Sequence, residues 1–277
     1  MKLRYLGTAA AEGIPAIFCG CEICQKSRIK AGRNIRTRSQ AIINDELLID
    51  FPADTYLHSL YSGVDFYKIK HCLITHSHSD HLYERENFNF LPGMSIASKG
   101  TFHYYGGDAA MSCIENYHFE KLNELGLVQT HRLRIQQATR ILNYDVVPLS
   151  ADHSPNTSPV IFYISDGEKS MLYAHDTGCF PKDTLAYLQT LNRSLDFLSL
   201  DCTGGLLPLL DYNRGHFSFK AGLVFLDELR EKGIIDSKTV ICVNHFSHNG
   251  QATYDEMVEE ADKYGILVSY DGMIVEF

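Results

Sequence analysis

No run of eighteen apolar residues occurs in the 277-residue chain, so the sequence predicts no membrane-spanning helix. An N-terminal signal peptide is not expected either. Lys2 and Arg4 precede small residues, but Glu12, Gly13 and Pro15 interrupt the apolar stretch early. Positive charge is scarce: 25 Lys and Arg stand against 34 Asp and Glu, a net charge of −9. A coat for nucleic acid built on bulk positive charge is thereby excluded, though a local cationic centre is not. There is no internal repeat, low-complexity tract or Pro/Ser-rich linker, so one domain over residues 1–277 is the simplest organisation. Neither a G-x-G-x-x-G nor a P-loop pattern follows any apolar strand; Gly7 and Gly13 read as turn residues. Eight cysteines are too few for a disulfide-dense scaffold, and three of them, Cys19, Cys21 and Cys24, crowd into six residues. That spacing suits a metal in a reducing compartment, and a cytoplasmic location is expected. Cys72, Cys113, Cys179, Cys202 and Cys242 are expected to act as small buried hydrophobes.

The apolar segments are short, rich in β-branched residues and bounded by turn residues, as strands should be. They are Leu3–Leu6, Ala41–Ile43, Leu47–Phe51, His71–Thr75, Tyr144–Leu149, Val160–Ile164, Ser170–Tyr173, Phe197–Leu200, Val240–Val243 and Ile266–Ser269. Asn44–Asp45 reads as a hairpin turn between two of them. Helical patterns cover Lys182–Leu191, Phe217–Lys232 and Tyr254–Tyr264, the last behind Thr253 as N-cap. Strands dominate early and strand–helix units late, which predicts a mixed α/β fold with helices outside, built on one sheet or on two face to face. The basic residues Arg28, Lys30, Arg33, Arg36 and Arg38 read as a solvated loop, with a cationic rim for an anionic substrate as the alternative. Aromatics in the long segment Leu82–Arg140, namely Phe88, Phe90, Phe102, Tyr104 and Tyr105, read as a local core before a pocket wall.

The loudest signal is Thr75-His76-Ser77-His78-Ser79-Asp80-His81, directly after an apolar strand. In extended geometry His76 and His78 project to one side, and Asp80 and His81 follow once the chain turns. Imidazole nitrogen suits Zn and Mn, and a carboxylate adds compensating charge. His153, Asp176 and His245 each lie just past a predicted strand end, where sites on sheet scaffolds gather. Together these seven residues could hold two metals.

The pattern His76-x-His78-x-Asp80-His81, followed in order by His153, Asp176 and His245, resembles the metallo-β-lactamase superfamily. The resemblance implies a four-layer αβ/βα sandwich of two mixed sheets flanked by helices, with metals at one edge. It implies that His76, His78 and His153 hold one divalent ion, that Asp80, His81 and His245 hold the other, and that Asp176 bridges them. A narrower resemblance rests on Leu6-Gly7-Thr8 through Gly13-Ile14-Pro15 and the following Cys19-x-Cys21-x-x-Cys24. It points to the phosphodiesterases of the carbon–phosphorus lyase pathway, which open a cyclic ribose phosphate, with pyrroloquinoline-quinone biosynthesis proteins as a related branch. That likeness implies a separate structural zinc on Cys19, Cys21, Cys24 and His248. It also implies Asp50 as a carboxylate that orients ligand histidines, and His216, in Arg214-Gly215-His216-Phe217, as the acid for the leaving group. Asp201 is a further candidate for positioning the neighbours of Asp176.

The expected function is a metal-dependent hydrolase of small cyclic or nucleotide-like phosphodiesters. Asp80 and His216 touch the reaction, and a metal-bridging hydroxide serves as nucleophile. The alternatives are a hydrolase of another ester or thioester and an accessory protein of cofactor biosynthesis on the same scaffold. A tRNA-processing nuclease shares the flavour of Asn244-His245-Phe246-Ser247, but no basic Gly-rich arm is evident. Expected cofactors are two active-site divalent ions, Zn or Mn, and one structural Zn. The expected partner is a small phosphodiester, with a second copy of the chain as an option, and neither membrane nor nucleic acid.

Overall fold

The computed structural model describes residues 1–95, 100–208 and 215–277, so Arg214 lies outside the described residues. Among the described residues, fourteen strands form two sheets of seven. The first half of the chain supplies β1 (Lys2–Gly7), β2 (Gln40–Ile43), β3 (Leu47–Ile49), β4 (His71–Ile74), β5 (Phe102–Gly106) and β6 (Val128–Arg132). The second supplies β7 (Thr139–Ile141), β8 (Tyr144–Ser150), β9 (Val160–Ser165), β10 (Ser170–Ala174), β11 (Phe197–Asp201), β12 (Val240–Asn244), β13 (Leu267–Val268) and β14 (Ile274–Glu276). The spatial orders are β14-β1-β2-β3-β4-β5-β6 and β13-β12-β11-β10-β9-β8-β7, so only β14 crosses back to the first sheet.

Period-two alternation decides which face each residue takes. Leu3, Tyr5, Ala41, Ile43, Leu47, Ile49 and Leu73 point inward and meet Phe162, Ile164, Met171, Tyr173 and Phe197 of the second sheet. Their neighbours Leu6, Ile42, Leu48, Cys72 and Ile74 point outward and are covered by α3 (Asp108–Glu115) and α4 (Phe119–Glu124). The outer face of the second sheet is covered by α5 (Lys182–Thr190), α6 (Phe219–Glu231) and α7 (Tyr254–Ala261) through Leu188, Phe225, Leu226, Leu229 and Met257. The layers are those of the αβ/βα sandwich. Strands buried on both faces explain why the apolar runs are continuous rather than alternating with polar residues. Two short helices, α1 (Glu22–Lys30) and α2 (Thr55–Tyr61), complete the set, and no described helix is long and apolar enough to cross a membrane.

The segment Leu82–Arg140 is an integral part of the first sheet. It contributes β5 and β6 to the first sheet, with Phe102 and Tyr104 in the outer core and Tyr105 between the sheets. Phe90 and Phe102 do wall an apolar cavity of about 400 Å³, but on the outer face beside α2. The basic segment is solvated in part: Arg28, Lys30 and Arg33 are exposed, Arg38 is half-buried and Arg36 is buried. Arg28 donates to the carbonyls of Cys19 and Ala16, Arg36 is buried against the Phe246 ring, and Lys30 and Arg38 pair with Asp255 and Asp54. Of the five scattered cysteines, Cys179 is exposed and Cys113 half-buried. Asn44 and Asp45 both take positive φ, as the mirror-image hairpin turn requires.

At the end of β1 the pairing with β2 slips between Tyr5 and Gly7, and the two backbones converge. A Cβ on Gly7 would lie 2.0 Å from the Arg38 carbonyl oxygen, a backbone atom that cannot swing aside. Gly7→Ala is therefore expected to destabilise the fold by about 2 kcal/mol or more through forced backbone separation. Urea unfolding measures it; an unchanged midpoint would remove the close-approach argument.

Candidate metal centre

Strand ends deliver the polar side chains to one edge of the sandwich. Past β4 the chain turns, with the amides of His81 and Leu82 bonded to the His78 carbonyl. This compresses His76, His78, Asp80 and His81 into a single bend. β8 leads to His153, β10 to Asp176, β11 ends in Asp201, and β12 leads to His245. Asp50, Asp176 and His245 each follow a strand in the left-handed conformation, at φ 67, 52 and 67°. For residues with a Cβ this is strained backbone, of order 1–3 kcal/mol each, and it persists only where surroundings impose it. Here they do. The Asp50 amide is held by the Leu73 carbonyl at 2.7 Å, the Asp176 amide by Asp201 Oδ2 at 3.0 Å, and the His245 carbonyl by the Thr203 hydroxyl at 2.8 Å.

Two groups of ligand atoms result. His76, His78 and His153 converge, with His78 Nδ1 lying 2.9 Å from His76 Nε2 and 3.2 Å from His153 Nε2. Asp80, His81 and His245 converge next to them. Asp176 stands between the two groups. Its Oδ1 is 3.6 Å from His153 Nε2, and its Oδ2 is 2.8 Å from His81 Nε2 and 2.9 Å from His245 Nε2.

Outer partners dictate what these atoms present inward. His81 Nδ1 lies 2.7 Å from Asp50 Oδ2, and a carboxylate only accepts, so Nδ1 carries the proton and Nε2 turns a bare lone pair inward. The other oxygen, Asp50 Oδ1, accepts from the Thr75 amide and hydroxyl. His245 Nδ1 lies 2.8 Å from the Thr203 hydroxyl, whose proton goes to the His245 carbonyl, so its Nε2 is bare as well. The two Nε2 atoms are 3.2 Å apart and share Asp176 Oδ2, which is buried and makes no hydrogen bond despite the short approaches. Three lone pairs facing one another need a cation between them. The donor set therefore fits divalent metal.

Without metal, protons must answer the same electrostatics. Burial pushes His81 down, but Asp176, Asp50 and Asp80 outweigh it and hold the ring well above its ordinary value. Burial would raise Asp176, yet His245 and His81 hold it well below the usual carboxylate range. His76, buried and beside His81, is driven well below. His216 sits at the rim with Nδ1 3.2 Å from Asp201 Oδ2 and 3.9 Å from Asp176 Oδ1. Its burial is overridden by those carboxylates, which lift it to about 9. Asp201 also accepts from the amides of Asp176, Thr203 and Phe217, so it ties four loop positions together.

Cys19, Cys21, Cys24 and His248 form a second, separate cluster, with their ligand atoms within 4.8 Å of one another. His248 Nδ1 is 3.4 Å from Cys21 Sγ and 3.7 Å from Cys19 Sγ, and Glu12 backs its Nε2 at 3.6 Å. Burial opposes ionisation of Cys21, but the Cys24 amide and His248 bring its thiol down to about 6, while burial pushes Cys24 up to about 11. Three sulfurs and one imidazole suit a closed tetrahedral zinc site.

Sequence reasoning missed Thr203, which fixes His245, and Thr75, which fixes Asp50. Thr203 lies two residues past Asp201, and its only signal was that proximity.

A family profile described as the Beta-lactamase superfamily domain matches residues 53–236. The match takes in the His76–His81 bend, His153, Asp176 and His216, and leaves the cysteines, Asp50 and His245 on either side. Solved structures of similar fold cover the whole chain. A diphosphatase of the PhnP family is 20% identical with a TM-score of 0.72 over 100% of this chain and 96% of that one. Zn(2+)-bound PqqB from Methylobacterium extorquens is 16% identical with a TM-score of 0.75 over 100% of both chains. The short form of human tRNase Z is 15% identical with a TM-score of 0.64 over 100% of this chain and 99% of that one. No curated protein sequence matches the chain.

Cys21→Ser should lower zinc content by about one ion per chain and reduce stability, while ions bound at the histidine edge remain. Elemental analysis beside thermal unfolding checks it; an unchanged zinc count would show that the thiols hold no metal. In zinc-stripped protein at pH 7, Cys21 is above its ionisation point and should react with iodoacetamide before Cys24. Peptide mass mapping reads the order, and added zinc should block both.

Proposed function

This chain belongs to the β-lactamase superfamily and is a metal-dependent hydrolase, and from that premise we propose that it is a dinuclear phosphodiesterase acting on small cyclic or nucleotide-like phosphodiesters. The carrying observation is the buried Asp176 Oδ2, flanked at 2.8 and 2.9 Å by the inward-facing Nε2 atoms of His81 and His245. His76, His78 and His153 would hold one ion, Asp80, His81 and His245 the other, and Asp176 would bridge them, all within one catalytic unit. Zn and Mn both suit this donor set. Two divalent ions held there would supply Lewis acidity, lowering the pKa of water from about 16 toward neutrality and offsetting charge on phosphoryl oxygens.

The chain's own groups do the rest. Asp50 and Thr203 keep the Nε2 atoms of His81 and His245 aimed inward, so no reorganisation is needed as charge develops. Asp201 holds His216 through Nδ1 and leaves Nε2 as the nitrogen that hands a proton to the departing oxygen. The neighbouring hydroxyls of Ser77 and Ser79 are not required as nucleophiles. Phosphoric esters are favoured over other esters because a diphosphatase and a tRNase share this fold along their whole length.

Purified protein should hydrolyse a bis-aryl phosphate and lose that activity to a chelator. Asp80→Ala and His153→Ala should each lower kcat by about 100-fold or more with far-ultraviolet circular dichroism unchanged. Full activity in either variant would remove the dinuclear assignment. His216→Ala should cost about 100-fold with a poor alkoxide leaving group and much less with p-nitrophenolate, which departs without a proton. Equal losses with both leaving groups would take the acid role away from His216.

A further inference from the structure

Behind Asp50 runs a line of buried polar groups that the reaction does not touch. Gln40, fully buried on β2, donates its amide to the Asp50 carbonyl at 2.9 Å and to the Thr55 hydroxyl at 2.9 Å. Its Oε1 lies 2.6 Å from His58 Nδ1 on α2. His58 Nε2 lies 2.7 Å from the Thr37 hydroxyl, and Thr37 is 2.6 Å from Asp271 Oδ2. A cavity of about 160 Å³ lined by Leu6, Leu57, Tyr61, His58 and Asp271 opens at this far end.

Proton counting fixes the direction of the line. The Asp50 carbonyl can only accept, and the Thr55 hydroxyl already donates to the Pro52 carbonyl at 2.6 Å. Both contacts therefore require the NH2 of Gln40, which leaves Oε1 facing His58. His58 must then carry its proton on Nδ1 and present a lone pair on Nε2, and the Thr37 hydroxyl donates to it. Asp271 Oδ2 lies on the far side of the same hydroxyl and also accepts from the Thr37 amide at 2.6 Å, which fixes Thr37 in place. Burial acts the same way on both ends: it holds His58 down at about 4, against the pull of Asp54, and pushes Asp271 up against its hydrogen bonds to Thr37 and Thr8 and the charge of Arg36.

The consequence falls on Asp50. Its backbone is strained at φ 67°, and its carboxylate accepts from His81 Nδ1, which keeps the proton on the outer nitrogen and turns the inner one toward the edge. The Asp50 peptide is held by the Leu73 carbonyl at its N–H and by Gln40 at its C=O, and Gln40 is oriented by His58. We propose that His58 is a positioning residue for the metal edge: by locking the amide of Gln40 it holds Asp50 in the left-handed turn that aims His81 at its ion. The inference rests on the dinuclear reading, but it concerns affinity for metal rather than choice of substrate.

Chelator competition on the full chain, read with Zn(2+) alone, tests it. His58→Leu removes the donor to Gln40 and should weaken zinc at the histidine edge about tenfold. The cysteine site, read in the same titration, should stay within twofold. His58→Asn keeps an N–H where Nδ1 stood and should restore most of the affinity. Thr37→Val should lower the melting temperature yet leave edge affinity within twofold, because the Nδ1 contact survives. Should His58→Leu not fold, imidazole nitrogen-15 spectra of the unmutated protein decide: an Nδ1–H, Nε2-bare His58 supports the relay, and the opposite tautomer overturns it. Equal losses at both metal sites, or equal affinity in His58→Leu and the parent, overturn the positioning role alone. A parent chain that takes zinc only at the cysteines overturns the dinuclear reading and this role together.

Discussion

The structure turns on a repulsion. Three acceptor atoms, Nε2 of His81, Nε2 of His245 and Oδ2 of Asp176, lie 2.8–3.2 Å apart in a buried pocket. Their outer partners, an Asp50 carboxylate and a Thr203 hydroxyl, force the lone pairs to face one another. In a low-dielectric interior that arrangement is costly unless positive charge sits at its centre. A metal ion removes the cost, and in doing so ties strand ends from both sheets to one point. Binding energy of this kind is folding energy as well, since the unfolded chain has no such pocket.

The sandwich is arranged to bring those ends together. β4, β10, β11 and β12 all finish at the same edge, and each is buried on both faces, so its apolar residues leave no freedom to slide. A one-residue slip in β4 would send Leu73 outward and drag the whole His76–His81 bend with it. The strain of three left-handed non-glycine residues is therefore borne where the hydrophobic core is most rigid. Period-two alternation in the core is what makes ångström-scale placement at the edge possible.

Much of this was written locally in the chain. The His76–His81 bend needs no tertiary information, because a strand followed by a turn places its ligands within six residues. His153, Asp176 and His245 were visible as ligand types at strand ends, and Cys19, Cys21 and Cys24 by their spacing. The second layer was less legible. Gln40, His58 and Thr203 act through hydrogen bonds between segments distant in sequence, and nothing in a lone Gln or Thr marks it as a partner. β5 and β6 were missed because Phe-His-Tyr-Tyr-Gly and Val-Gln-Thr-His-Arg mix polar and apolar residues and so lack the continuous apolar run of the central strands; β6 lies at the sheet edge and β5 beside it. α1, as Glu-Ile-Cys-Gln-Lys-Ser-Arg-Ile-Lys, has too weak an apolar face to announce itself; the thiol cluster and the Cys21 cap at its N-terminus organise it. Among the basic residues around it, Arg28, Lys30 and Arg33 are exposed as a solvated face should be, whereas Arg36 is buried against the Phe246 ring, a partner too distant in the chain to be read locally.

The two metal clusters are separate in chemistry but joined in the backbone. His245 and His248 stand three residues apart, and Phe246 between them pairs with Ala9 through both of its neighbours' backbone bonds: the Phe246 amide to Thr8 and its carbonyl to Ala10. Arg36 packs its guanidinium on the Phe246 ring, and its own amide and carbonyl bond to Ile14 in the same N-terminal loop. Ser247 and His248 both meet Glu12 of that loop as well. The loop that carries the cysteine cluster thus anchors the segment that presents His245 from one side while Thr203 and Asp201 anchor it from the other. The left-handed turn at His245 is held between two fixed points rather than by its own conformational preference. A strained residue at the end of a central strand is therefore available as a candidate ligand because its geometry is set between a rigid sheet and a loop bonded to it on both sides.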